Sequence, residues 1–244
     1  MFATPVSNEA PRRESESREG FDERLGKILE AATLVMAQVG YEKASVRMVA
    51  RAAGVSLAGM YHYFESKERI LFLIQFRAFN SLLNNLREKL LGVEDPVEQL
   101  FVMVRAHVGY FAANIAALKV CSHEQDTLSG TAHEETRQIR RAYYELTRGI
   151  VDRVLDKHAP DAALDRHVLT MSLFGTLNWL YRWYDPKGAR QPMAAVANQI
   201  AAQFLYGALG HRGAAKVADS ASPSGAESGK SAQPEAGPFG VTWE

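Results

Sequence analysis

The chain is nearly without cysteine and has no surplus of either charge, and both shortages narrow its chemistry. A single cysteine, Cys121, among 244 residues excludes an internal disulfide and a cysteine-rich zinc site. Basic and acidic residues balance at 28 each, for a net charge of 0 and a pI of about 7.1. That balance excludes indiscriminate coating of nucleic acid, although a sequence-specific reader needs only a local basic face. No apolar run reaches the roughly 20 residues of a membrane span, and the N-terminus shows no signal-peptide core. A cytoplasmic protein with no membrane partner is expected. No H-E-x-x-H pair and no glycine-rich phosphate loop occurs. His123-Glu124 and His133 are too widely spaced to put two ligands on one helix face, and Cys121 in an apolar segment reads as a small core residue. These gaps leave no metal or cofactor to expect and argue against an enzyme, with a helical enzyme as the remote alternative.

What the chain does contain is helical periodicity, 47% hydrophobic residues and one dense motif from Ser45 to Lys67. Ser45 is placed to cap a helix over Val46–Ala53, whose Val46, Val49, Ala50 and Ala53 share a face. Gly54 follows where the chain must take a left-handed turn. Ser56 caps a second short helix, Leu57–Tyr63, with Val55, Met60 and Phe64 as its packing groups. Two short helices joined this way make a helix-turn-helix, whose second helix enters the DNA major groove. Leu57, Ala58 and Gly59 are small or apolar and permit close approach to a groove floor. Tyr61, His62 and Tyr63 present consecutive rings with hydrogen-bonding tips, and Lys67 begins the next helix within reach of a phosphate.

Residues 22–75 resemble the N-terminal domain of the TetR family of bacterial transcriptional regulators. The resemblance is carried by Ala31-Ala32, Gly40-Tyr41, Ser45-Val46-Arg47, Val49-Ala50, Ala53-Gly54-Val55-Ser56, Met60-Tyr61-His62-Tyr63-Phe64 and Lys67. It implies that Ser45 and Arg47 touch the DNA backbone and that residues Ser56 to Tyr63 form the recognition helix and its cap. It implies a phosphate contact for Lys67. Gly59 departs from the family's frequent threonine or serine, which removes one possible hydroxyl contact. The family's architecture is an all-α chain: an N-terminal three-helix helix-turn-helix domain and a C-terminal helical ligand-binding and dimerisation domain.

The boundaries expected are a disordered arm at 1–20, the DNA-binding domain at 21–70, the helical body at 71–210 and a disordered Ala/Gly/Ser/Pro-rich tail at 211–244. Helices are expected over 22–39, from Ser66 to Gly92, from Pro96, over 115–121, over 131–158, and over Leu164–Tyr184 and Met193–Leu209. The last two are apolar around most of their circumference, which predicts a homodimer through residues 164–209. Paired heads then suit a near-palindromic operator in double-stranded DNA. By resemblance the helical body holds a small-molecule effector whose binding repositions the heads and releases DNA. Its candidate lining is the set of polar groups stranded in apolar helices: His107, Tyr110, Arg140, Asn178, Trp179 and Arg182. Arg182 also fits an ion pair with Asp185, and Trp179 plain packing. The segment Asn178 to Gly188 is similar to that of TetR-type repressors responding to acyl-CoA thioesters, which makes such a thioester the favoured effector. The alternative is an efflux-pump repressor binding an aromatic or cationic drug.

Overall fold

The computed structural model describes residues 10–124, 126–185, 188 and 190–210, and among them every regular element is a helix. Residues 1–9 of the expected arm and the whole expected tail from 211 lie outside the described residues. The chain divides into two compact units, residues 1–74 and 75–244.

In the first unit, α1 (Ala10–Val39) packs on α2 (Val46–Ala53), which packs on α3 (Leu57–Tyr63). Helix α1 starts at Ala10, so residues 10–20 continue the helix instead of forming the disordered arm expected. Gly40, at φ 82°, closes α1 and returns its N–H to the Met36 carbonyl at 2.9 Å. Ile28, Leu29, Ala32 and Met36 supply the buried stripe of α1, facing Val49 and Ala50 of α2 and Met60 of α3. Met60 is fully buried, an apolar contribution of about 2 kcal/mol that a seven-residue helix needs because it cannot stand alone in water. Phe64, Ile70, Leu71 and Ile74 complete this unit's core.

The long helix α4 (Lys67–Lys89) passes through the boundary between the units, and its later residues Leu82, Leu83 and Leu86 belong to the second core. There the central element is α5 (Pro96–Ala113), which touches α6 (Ile115–His123), α7 (Gly130–His158), α8 (Arg166–Asn178) and α9 (Met193–Leu209). Asp95 caps α5 by accepting from the Glu98 N–H at 3.1 Å, with Pro96 at the first helical position. The helix expected over Leu164–Tyr184 is broken. Helix α8 ends at Asn178 and a 3-10 turn, Trp179–Arg182, follows. Among the described residues no single helix is long and apolar enough to cross a membrane.

Candidate functional site

The reading head is built by local capping. The Ser45 Oγ accepts from the Met48 N–H at 3.2 Å, and the Ser56 Oγ from the Gly59 N–H at 3.0 Å. Between them Gly54 takes φ 67°, with Gly54 N–H bonded to the Arg51 carbonyl and Val55 N–H to the Ala50 carbonyl. This double closure ends α2 and redirects the chain at the angle α3 needs. The outward set is the one expected from sequence. Ser45, Arg47, Ser56, Leu57, Ala58, Tyr61 and His62 are exposed, while Gly59 and Tyr63 are half-buried. Gly59 has a structural reason as well: a Cβ there would sit 3.1 Å from the Ser56 Oγ and press on the cap. Arg51, exposed one turn beyond Arg47 on α2, is absent from the expected set, although the four-residue spacing of the two arginines is visible in the sequence.

Lys67 differs from expectation. Its ammonium donates to the Tyr41 carbonyl at 3.0 Å and the Glu42 carbonyl at 3.4 Å, and lies 4.0 Å from the centre of the Tyr41 ring. It ties the start of α4 to the loop after α1 and is not extended toward a phosphate. The adjacent Ser66 caps α4, accepting from the Arg69 N–H at 3.0 Å.

The helical body gathers part of the expected effector set inside. His107 is 2% exposed; its Nδ1 pairs with the Tyr143 hydroxyl at 3.1 Å, and its ring rests among Phe111, Tyr143 and Phe174. Burial pushes the imidazole down to about 3, opposed by the Asn178 side chain, so the ring is neutral at physiological pH. Among the described residues its Nε2 completes no hydrogen bond. Arg140 is buried beside Cys121; burial lowers the guanidinium, and Asp126 and Cys121 oppose that shift. Burial also raises the Cys121 thiol to about 12 and raises the Tyr110 phenol, near Ser81 and Cys121. Gln75, fully buried, donates to the Glu124 carbonyl at 2.6 Å, and its own Oε1 has no partner among the described residues. Thus His107 interacts with Tyr143 and Asn178, Tyr110 and Arg140 interact with Cys121, and Gln75 is held against the Glu124 carbonyl; Tyr143 and Gln75 are absent from the set expected from sequence.

Trp179 and Arg182 do not join them. Both are exposed, with the guanidinium 5.3 Å from the Trp179 ring centre. A continuous α-helix would put Asn178 and Arg182 on one face. At three residues per turn, Trp179 and Arg182 eclipse instead, and Leu180 takes the inward position.

Residues 28–74 match the model for bacterial regulatory proteins of the tetR family, and residues 93–208 match that for the tetracyclin repressor-like C-terminal domain. The crystal structure of the TetR-family regulator PfmR from Thermus thermophilus is 30% identical, covering 73% of this chain and 96% of that one, with a TM-score of 0.66. The chain belongs to the TetR family. This TetR-family chain is similar to the fatty acid metabolism regulator protein of Bacillus subtilis (strain 168), 22% identical over 74% of this chain and 93% of the relative. It shares its fold with AibR, solved in complex with isovaleryl coenzyme A and operator DNA, at 23% identity and a TM-score of 0.65, covering 76% of this chain and 98% of AibR. As a member of the family it is a ligand-responsive transcriptional regulator. The match to the DNA-binding model begins at Ile28, so the first eighteen residues of α1 (Ala10 to Lys27) precede what that model describes.

Proposed function

We propose that this regulator is a homodimeric repressor of a near-palindromic operator, released by an acyl-CoA thioester held in its helical body. The observation that carries the effector reading is the buried polar set, in which, among the described residues, the Gln75 Oε1 and His107 Nε2 stand without hydrogen-bond partners. Isolated buried polar atoms cost free energy unless a ligand or water engages them, so such a cluster in a family of ligand sensors reads as a binding site. The groups are neutral or cationic: imidazole, carboxamides, phenols and Arg140. They suit the carbonyls and amides of a thioester arm better than a cationic drug. AibR's isovaleryl coenzyme A and the fatty-acid role named for the Bacillus relative support the same class.

Contacts to DNA fall to Ser45, Arg47, Ser56, Leu57, Ala58, Gly59, Tyr61, His62 and Tyr63. The dimer reading rests on apolar groups left outside on α8, the 3-10 turn and α9: Val168 is 59% exposed, Trp179 44% and Tyr206 80%. A partner covering residues 164–209 would bury them.

The test is fluorescence anisotropy on DNA from the gene's own upstream region, titrated with short, branched, long and aromatic acyl-CoAs and with free CoA. Release by one thioester at micromolar concentration, with saturable heat in isothermal titration, is expected. Operator binding that no thioester disturbs, with no saturable heat, overturns the effector class and leaves the regulator.

A further inference from the structure

Phe21 is a large apolar residue 41% exposed on α1, seven positions before the stretch matched by the family's DNA-binding model. It lies in the interior of its helix, which runs from Ala10 to Val39. Its ring stacks on Tyr63 at 4.8 Å between centroids and 26° between planes, and meets His62 edge-on at 6.2 Å and 80°. His62 and Tyr63 are themselves edge-to-face at 5.5 Å. The three rings form one cluster at the C-terminal end of α3, the helix that carries the groove-facing side chains on the function proposed above, on which this inference rests.

Ser56 caps the beginning of α3, Met60 anchors its middle and the buried Phe64 follows its last turn, but the helix has only seven residues and so takes its orientation from its tertiary contacts. Phe21 is itself substantially exposed, so removing its ring leaves no enclosed cavity and spares the core of Ile28, Leu29, Ala32 and Met60.

We infer that Phe21 is a positioning residue for sequence reading: by stacking on Tyr63 it fixes the rotamers of Tyr63 and His62 and the pitch of the recognition helix, without touching DNA itself. Aromatic pairs of this geometry favour the paired arrangement by about three- to tenfold. Without the ring, the reading-competent arrangement is populated less, and specific affinity falls by that factor. Nonspecific affinity depends on phosphate contacts, which Phe21 does not supply, and is unaffected.

The experiment uses the full chain and two probes: the duplex that the wild-type protein enriches from a random-sequence pool, and an unselected duplex of equal length. Enrichment of a single sequence by the wild type tests DNA reading itself, separately from Phe21. Anisotropy titrations then compare wild type with Phe21→Ala, Phe21→Leu and Phe21→Trp at several salt concentrations. The expected result is a three- to tenfold loss on the enriched duplex for Phe21→Ala and Phe21→Leu, against an unchanged Kd on the unselected duplex. The salt slope is unchanged, and Phe21→Trp stays within about twofold of wild type. The inference is overturned if Phe21→Ala binds the enriched duplex as wild type does. It is equally overturned if Phe21→Leu retains affinity as fully as Phe21→Trp, which would make Phe21 mere apolar cover, or if the variants lose equally on both duplexes.

Discussion

Lys67→Met separates two roles that sequence alone could not tell apart. Methionine keeps most of the apolar stem and deletes the ammonium. In the structure that ammonium makes a 3.0 Å and a 3.4 Å hydrogen bond to loop carbonyls and sits 4.0 Å from the Tyr41 ring centre. A charged hydrogen bond contributes about 1.5–3 kcal/mol and a partly exposed cation–π contact about 0.5–1 kcal/mol. Against these stands the side-chain entropy of a fixed lysine, up to about 2 kcal/mol. The net expectation is a loss of about 1–2 kcal/mol, concentrated where Tyr41 and Glu42 meet the start of α4. Hydrogen exchange on the full chain, read in peptides covering residues 36–75, is expected to show protection in that region reduced by about five- to thirtyfold, following from that energy. In parallel, the salt dependence of operator binding is expected to keep its slope, because losing one phosphate contact from each protomer of a dimer lowers that slope by about 1.8. A slope reduced by about 1.8 with unchanged exchange would refute the clamp and restore the phosphate contact.

Three further outcomes are expected. The folded-state His107 ring titrates near 3 against an ordinary 6.5, so between those values the unfolded chain binds the extra proton and stability falls as pH drops. From pH 7 to 5 that loss is about 2 kcal/mol, and urea midpoints for His107→Asn should fall by correspondingly less than wild type over the same interval. Gly54→Ala adds a Cβ that meets nothing within 4 Å, so its cost is the backbone alone, about 1–2 kcal/mol in thermal or urea unfolding, with Gly54→Asn intermediate. Tyr206→Asp, at a position 80% exposed on α9, is expected to halve the mass seen in sedimentation equilibrium while leaving the helical circular dichroism intact. A dimer of undiminished affinity would remove α9 from the interface.

The bounds of α2 and α3 were legible to the residue because they are set by groups three or four positions apart. A serine hydroxyl reaches the N–H three residues on, and a glycine at φ 67° closes the turn whatever the rest of the chain does. The outward set on α3 followed from the same short range, since inward Met60 and Phe64 leave Tyr61 and His62 exposed between them. The starts of α5 at Pro96 and of α9 at Met193 were equally local. Family membership rested on this stretch too, and the comparisons with known regulators bear it out.

Tertiary structure decided the rest, because the deciding partners are remote in sequence. Periodicity read residues 164–184 as one helix, but burying Leu180 while turning Trp179 and Arg182 outward took a switch to three residues per turn. A polar residue within an apolar helix has no sign to say whether it faces a core or a surface. His107 and Arg140 went inward and Arg182 went out, according to which helices flank α5 and α7. Lys67 folded back on carbonyls more than twenty positions upstream, and Phe21 found Tyr63 across the head. Local hydrogen bonds and residue type are written into the sequence by itself; the side of a helix that becomes an interior exists only once other helices have packed against it.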